Sequence, residues 1–199
     1  LYSNNASTTD NFYNAITGEI YDPCIYKNFP ELRDNVYFVM PISASKMRLS
    51  SPSNSANTIN TFKCEGSSIS TGIGPRNVRV RRLLESNPEE LILINKVKNK
   101  EITTLSVEEL TTAGINLSTS SGYCDYYRAG FNASEKSQFT DGSVILLMEK
   151  GLNAKNEDAT IKVGLIHIIS GTTDAANPES VTASNISFIT FNCYYEKDL

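Results

Sequence analysis

Short runs of β-branched and aromatic residues, bounded by turn-forming residues, constrain the fold of this chain more than any other feature. Two of these runs are separated only by the polar stretch 151–158, which indicates a hairpin, and the second of the two is apolar on both faces beyond residue 165, as in a central strand. The clearest strand predictions are residues 36–42, 77–84, 143–149, 160–170 and 185–195.

Weaker runs raise the expected number of strands to about ten, which suits two packed sheets. These runs are residues 19–26, 46–49, 58–64, 91–98 and 123–130. The sequence therefore predicts a mostly β fold, an antiparallel β-sandwich or jelly-roll-like structure with long polar loops and one or two short helices. We expect residues 11–199 to form a single domain and residues 1–10 to be a polar N-terminal arm or tail.

Helix signals are few. Ser106 and Glu109 have the spacing of a capping box, and Gly114 is placed to end the helix after about two turns. Prolines in first-turn positions, Pro30 and Pro88, can also start helical turns. After the second of these prolines, residues 91–98 contain a Leu-Ile-Leu-Ile run, which favours a strand there over a helix.

Charge and composition exclude several classes of partner. The 199 residues include 18 basic and 22 acidic ones, so the net charge of −4 argues against nucleic-acid binding. The longest apolar run, residues 144–148, is far too short to span a membrane. Hydroxyl and amide side chains supply much of the polarity, as is typical of secreted, cell-surface and virion-surface β proteins, so we expect an extracellular, cell-surface or virion-surface location.

The cysteines are widely spaced, and no C-x-x-C pair is present, which argues against a zinc site or thioredoxin-type redox chemistry. In an oxidising compartment the chain can form two long-range disulfides, one disulfide with two thiols, or none, and the sequence leaves these alternatives and the connectivity open. The candidates are Cys24, Cys64, Cys124 and Cys193. No metal or other cofactor is expected.

Four N-x-S sequons are candidate glycosylation sites in a eukaryotic secretory pathway. A chain this rich in Asn, Ser and Thr produces about this number by chance, so the sequons are compatible with secretion without indicating it. They begin at Asn5, Asn116, Asn132 and Asn185.

Catalytic signatures are missing from the sequence. His167 is the single histidine, which excludes mechanisms that need two imidazoles, and its apolar neighbours along the predicted strand indicate a buried or rim position. We therefore expect a protein that is not an enzyme and has no catalytic residues. A secreted hydrolase acting through carboxylates stays open as an alternative, with Glu135, Asp125 and Asp141 as its candidates.

A basic pattern supplies the first candidate binding site. Arg79 and Arg81 alternate with valines along one predicted strand, and Lys96 and Lys98 repeat the same period of two in another. If the two segments pair, the four cations form a patch able to hold a carboxylate or sulfate of sialic acid or a glycosaminoglycan. The alternative is a solvated sheet face or an edge strand protected by charge.

A cluster of tyrosines is the second candidate. Around Cys124 lie Tyr123, Tyr126, Tyr127 and Arg128, and this mixture of residues supplies rigid contact area and hydrogen bonds at many binding surfaces. Cross-strand packing of the aromatic rings explains the cluster equally well.

These features favour a non-catalytic recognition or adhesion module that binds a glycan or a protein on a surface through its loops or its basic strand face. The alternative is a structural protein, a subunit of a capsid, fibre head or pilus that associates with copies of itself. A carboxylate-dependent secreted hydrolase is the second alternative.

Overall fold

A computed structural model describes residues 12–40, 42–43, 46–54, 62–69, 76–118, 121–126, 136–173 and 187–196. The predicted N-terminal arm, residues 1–10, lies outside the described residues. The strands are β1 (Phe12–Tyr13), β2 (Ile20–Tyr21), β3 (Phe38–Val39), β4 (Ile42–Ser43), β5 (Lys46–Ser50), β6 (Lys63–Cys64), β7 (Ser67–Ser68), β8 (Asn77–Arg82), β9 (Tyr123–Tyr126), β10 (Gln138–Phe139), β11 (Val144–Leu152), β12 (Asp158–Thr173) and β13 (Ser187–Tyr195).

Helices connect some of these strands. They are α1 (Pro23–Asn28), α2 (Pro88–Lys98) and α3 (Val107–Thr112), with 3₁₀ turns at Pro30–Asn35 and Pro52–Asn54. Among the described residues, no helix is both long and apolar enough to cross a membrane.

The central sheet has four strands in the order β13-β12-β11-β8, and every pairing in it is antiparallel. β11 and β12 form the predicted hairpin, with Val144 opposite His167 and Leu152 opposite Asp158. The ladder shifts by one residue between Glu149 and Lys150. All of the strong strand predictions except residues 36–42 correspond to these long strands, because long β-branched runs gain most from burial in a sheet.

The second sheet has the order β10-β9-β5-β3-β1-β2, with β4 also paired to β5. Its pairings are antiparallel apart from the parallel pair β9–β10. Residues 36–42, 58–64 and 123–130 contribute only short strands to the described part of the structure. Together the two sheets hold eleven of the described strands, which confirms the prediction of a mostly β, sandwich-like fold.

A continuous apolar core joins the two sheets. Val80, Leu147 and Ile166 project from the central sheet and pack against buried side chains of the second sheet, among them Phe38 and Leu49. Because consecutive strand residues point to opposite faces, Val144, Leu146 and Leu165 project the other way. There they meet α2 and α3, so the central sheet is covered on both faces.

The prediction of a strand over residues 91–98 is wrong, because these residues belong to α2. Pro88 occupies the first turn and the side chain of Asn87 caps the helix by accepting a hydrogen bond from the Glu90 N–H at 2.9 Å. Within the apolar run, Leu93 and Ile94 are buried against the sheet, whereas Leu91 and Ile92 are exposed. Burial of one helical face determines the structure here, despite the β-rich composition.

α3 begins and ends where the sequence predicts. The Ser106 side chain accepts a hydrogen bond from the Glu109 N–H at 3.1 Å, and Gly114 has a φ of +78°, a left-handed conformation that favours glycine. The carboxylate of Glu109 bonds the hydroxyl of Thr104 instead of completing the capping box. The strand prediction over 19–26 is correct only at β2, because the Asp22 side chain caps α1 directly afterwards.

A separate small core forms around α1 and contains the disulfide. Phe12 stacks on Tyr26 with 4.3 Å between ring centroids, and Phe62 packs beside them. Cys24 and Cys64 are bonded to each other across this core. Cys124 and Cys193 are free thiols in the sheet-to-sheet core. Of the alternatives left open by the sequence, the structure has one disulfide and two thiols.

Candidate anion-binding cleft

Arg81 is part of the protein interior. Only 1% of the residue is exposed, and its guanidinium lies 2.8 Å from the Glu90 carboxylate of α2. It also donates a hydrogen bond to the Asn116 carbonyl at 2.7 Å, while the second Glu90 oxygen accepts the Leu84 N–H at 2.7 Å. This buried ion pair ties α2 to the edge of the central sheet and leaves Arg81 no surface for a ligand.

Arg79 lies on the same helix-facing side of β8, opposite Met148, and is half-buried. Burial, followed by the positive charge of Arg79, lowers the pKa of the nearby Lys150. Lys150 is held by hydrogen bonds to the Leu117 carbonyl and the Thr160 hydroxyl, at 3.1 and 2.7 Å. Arg79 therefore lies beside Lys150 and does not line the polar cleft that contains Arg82.

The predicted patch of four cations on paired strands does not form, because Lys96 and Lys98 lie on α2. Lys96 is exposed and borders a separate groove between α2 and α3. Lys98, in the last turn of α2, reaches the Glu85 carboxylate at 2.9 Å. That contact places Lys98 on the wall of a polar cleft.

The cleft has a volume of about 380 Å³ and lies where the end of β8, the C-terminal turn of α2 and the turn before β11 meet. The turn is closed by a hydrogen bond from the Ser143 N–H to the Thr140 carbonyl at 3.1 Å, and by one from the Thr140 N–H to the Ser143 hydroxyl at 2.9 Å. The described residues that line the cleft are Arg82, Leu83, Leu84, Glu85, Ser86, Ile94, Lys98, Thr140, Asp141, Gly142, Ser143 and Val144.

Arg82 is the distinctive residue of the cleft. It is half-buried, and within the described part of the chain its guanidinium makes no hydrogen bond and no ion pair. Three other described arginines form ion pairs: Arg48 with Asp125, Arg76 with Glu149 and Arg81 with Glu90. An unpaired guanidinium has five N–H donors in a planar fork, which matches the geometry of a carboxylate, sulfate or phosphate.

Two carboxylates also border the cleft. Asp141 accepts hydrogen bonds from the Tyr126 hydroxyl at 3.1 Å and from the Gly171 N–H at 2.7 Å. The hydrogen bond from Lys98, then the charge of Lys98 and, to a smaller extent, the charge of Arg82 lower the pKa of Glu85. Ionised carboxylates accept hydrogen bonds from hydroxyl groups and repel anions. The cleft therefore fits a ligand that combines one anionic group with several hydroxyls better than it fits a densely anionic polymer.

The predicted tyrosine cluster is divided. Tyr126 packs edge-on against Phe139 with 5.4 Å between ring centroids, and its hydroxyl contacts the rim of the cleft through Asp141. Tyr127 and Arg128 lie outside the described residues. Tyr123 lies under the Arg48 guanidinium at 4.0 Å.

The carboxylates proposed for hydrolysis are occupied with other contacts. Asp125 pairs with Arg48 at 2.6 Å, and Asp141 holds a tyrosine hydroxyl and a backbone N–H. Glu135 lies outside the described residues. In the described ranges no three His, Cys, Asp or Glu side chains are grouped to hold a metal ion.

His167 and the two thiols belong to the core. His167 is half-buried on the helix-facing side of β12, as predicted, and burial, followed by the charge of Lys98, lowers its pKa. Burial raises the pKa of the Cys124 and Cys193 thiols to about 12. Both thiols are therefore protonated at neutral pH, which makes them weak nucleophiles.

The sequon asparagine that the structure describes, Asn116, is exposed, and its side-chain oxygen accepts the Ser118 N–H at 2.8 Å. The sequons at Asn5, Asn132 and Asn185 lie outside the described residues.

Comparison of the chain with protein-family models, curated proteins and solved structures found no match. The functional argument therefore depends on the residues of the site. The sequence pattern does not single out Arg82, because strand alternation places it on the face opposite Arg81. Its position at the last residue of β8, where the chain turns towards α2, brings it into the cleft.

Proposed function

We propose that this protein is a non-catalytic recognition module, working at an extracellular or surface location, that binds a glycan or protein ligand through an anionic group held by Arg82. The observation that carries the proposal is Arg82, a half-buried residue that lines a polar cleft of about 380 Å³ and whose guanidinium has no ion-pair partner among the described residues. A half-buried charge is costly to leave unpaired, so a site of this kind favours an anionic ligand.

A recognition role is also supported by the fold. The walls of the cleft come from a sheet strand, a capped helix and a hydrogen-bonded turn, so the backbone that carries its polar side chains is in position before a ligand arrives. The disulfide Cys24–Cys64 fits a protein that folds in an oxidising compartment. Among the described residues, the hydrolase candidates Asp125 and Asp141 are engaged in other contacts, which disfavours the hydrolase alternative.

A glycan array tests the proposal. We expect the folded protein to bind glycans that carry a carboxylated sugar, and we expect Arg82→Met to lose at least about tenfold in affinity, the value of one charged hydrogen-bonded contact of roughly 1.5–3 kcal/mol. Lys96→Met is the matched control, because it removes one positive charge from an exposed position outside the cleft. An array without signal for the wild type would refute a glycan ligand, and equal losses in both variants would refute the role of Arg82.

The capsid, fibre-head or pilus alternative predicts self-association, which light scattering of the same preparation measures. A monomer supports the recognition module. A trimer or larger assembly supports a structural subunit.

A further inference from the structure

A second groove runs along the C-terminal half of β13, at the outer edge of the central sheet. It has a volume of about 800 Å³. One wall is the segment before and within α3, and the opposite wall comes from the turn after β1. Its described lining residues are Ala15, Ile16, Ile102, Thr103, Thr104, Leu105, Ser106, Glu108, Glu109, Cys193, Tyr194, Tyr195 and Glu196.

The floor of this groove is the outer edge of β13, where some backbone groups bond to no other described residue. The Glu196 N–H donates to the Val163 carbonyl at 3.0 Å, which sets the phase of the antiparallel ladder between β12 and β13. Because ladder bonding alternates along an antiparallel strand, the N–H and C=O groups of Cys193 and Tyr195 point away from β12. Within the described part of the chain no backbone group bonds to them. An extended segment in the groove finds hydrogen-bond partners at both residues.

The groove is acidic as well as apolar. Its carboxylates are Glu108, Glu109 and Glu196, and no lysine, arginine or histidine occurs among its described lining residues. Glu109 bonds the Thr104 hydroxyl and Glu196 bonds the Val163 N–H. The carboxylate of Glu108, exposed in the first turn of α3, makes no hydrogen bond or ion pair to another described residue.

Apolar contacts are available on both walls. Ile16 is 44% exposed and stands on one wall, while Ile102 and Leu105 are half-buried on the other. Side chains of an added strand point alternately to the two faces of the sheet, so one set meets the wall of Ile16 and the other set meets the wall of Glu108.

We propose that this groove binds an extended basic peptide, which adds a fifth strand to the central sheet beside β13. Main-chain hydrogen bonds to Cys193 and Tyr195 supply affinity, and the alternation of apolar and basic side chains supplies specificity. The peptide carries Lys or Arg at every second position, on the face that meets Glu108, and an apolar residue between them to cover Ile16.

The test uses a fluorescein-labelled peptide, Lys-Val-Lys-Val-Lys-Val, in an anisotropy titration with the full chain. We expect saturable binding, and no binding of the matched Glu-Val-Glu-Val-Glu-Val peptide. Two further versions of the Lys-Val peptide are methylated on the backbone amide nitrogen, one at every lysine and the other at every valine. In a strand the backbone N–H groups of alternate residues point to opposite edges, so either the lysine or the valine N–H groups face β13. Methylation of that set removes the hydrogen bonds to β13, and we expect this version to bind at least about tenfold more weakly than the other.

Variants of the protein locate the site. We expect Glu108→Gln to weaken binding of the Lys-Val peptide about two- to fivefold at low salt, the range of one exposed ion pair. Glu101→Gln is the matched control, because it removes a neighbouring exposed carboxylate that does not line the groove. Equal affinity for the Lys-Val and Glu-Val peptides, equal effects of the two N-methylated versions, or equal effects of the two protein variants would overturn the proposal.

The oligomeric state gives an independent check. If a dimer forms and its dissociation by dilution exposes the β13 edge to hydrogen exchange, a second copy of the chain is the occupant and the proposal is wrong. A monomer whose Cys193 and Tyr195 amide protons gain protection only with the Lys-Val peptide supports it.

Discussion

The pair Arg81–Glu90 gives the sharpest prediction of stability, because the sequence had placed Arg81 in a ligand site and the structure places it inside the protein. The arginine and glutamate side chains are 2% and 5% exposed. Substituting Glu90→Gln leaves the guanidinium buried without a counter-charge. We expect this variant to lose about 3–5 kcal/mol of unfolding free energy, the usual cost of breaking a buried pair.

Thermal and urea unfolding followed by circular dichroism measure this loss. At roughly 2–4 °C per kcal/mol for a chain of this size, the variant is expected to unfold about 6–20 °C below the wild type. The double variant Arg81→Met/Glu90→Leu removes both charges and keeps apolar volume, so we expect it to be more stable than Glu90→Gln alone.

The ion pair Lys98–Glu85 is the matched control, since its side chains are 34% and 67% exposed. We expect Glu85→Gln to cost no more than about 1 kcal/mol. If Glu90→Gln costs as little as the control, or if the double variant is no more stable than Glu90→Gln, the buried pair does not stabilise the packing of α2 on the sheet.

Other groups give predictions that standard assays check. Reducing Cys24–Cys64, which closes a 40-residue separation, is expected to lower the unfolding free energy by about 4 kcal/mol in a urea titration with and without reductant, and an unchanged midpoint would contradict this. Burial lowers the pKa of His167 in the folded protein, so the unfolded chain binds its proton more strongly. Stability is therefore expected to fall as pH decreases through the unfolded value near 6.5, and His167→Gln is expected to remove that slope. The Cys124 thiol, which is fully buried and has a pKa of about 12, is expected to resist a thiol reagent at pH 8 until urea unfolds the chain; rapid labelling of Cys124 in the native protein would contradict its burial.

The long strands were predictable because each carries its own signal. β11 and β12 are long apolar runs joined by a polar turn, and their pairing follows from that pattern alone. The capping of α3 by Ser106 was equally local. Such features depend on residues close together in the chain, which is why single-sequence reasoning finds them.

The features that were missed depend on contacts between distant segments. The Leu-Ile-Leu-Ile run became helical because Asn87 and Pro88 start a helix whose buried face matches the sheet. Arg81 and Arg82 are neighbours in the chain, yet Arg81 is buried in an ion pair with Glu90 and Arg82 lines the cleft. Strand alternation separates the two arginines onto opposite faces, but it does not show which face α2 covers.

The central claim is that Arg82 makes the cleft a site for an anionic ligand. Its most direct test is a titration of ¹⁵N-labelled protein with sialyllactose, a glycan that combines one carboxylate with many hydroxyls, followed by amide chemical shifts. We predict saturable changes in amide chemical shift that are confined to residues 82–86, 98 and 140–144. These changes are expected to be lost in Arg82→Met and kept in Lys96→Met. Shifts that are absent, spread over the whole surface or unchanged in Arg82→Met would contradict the account.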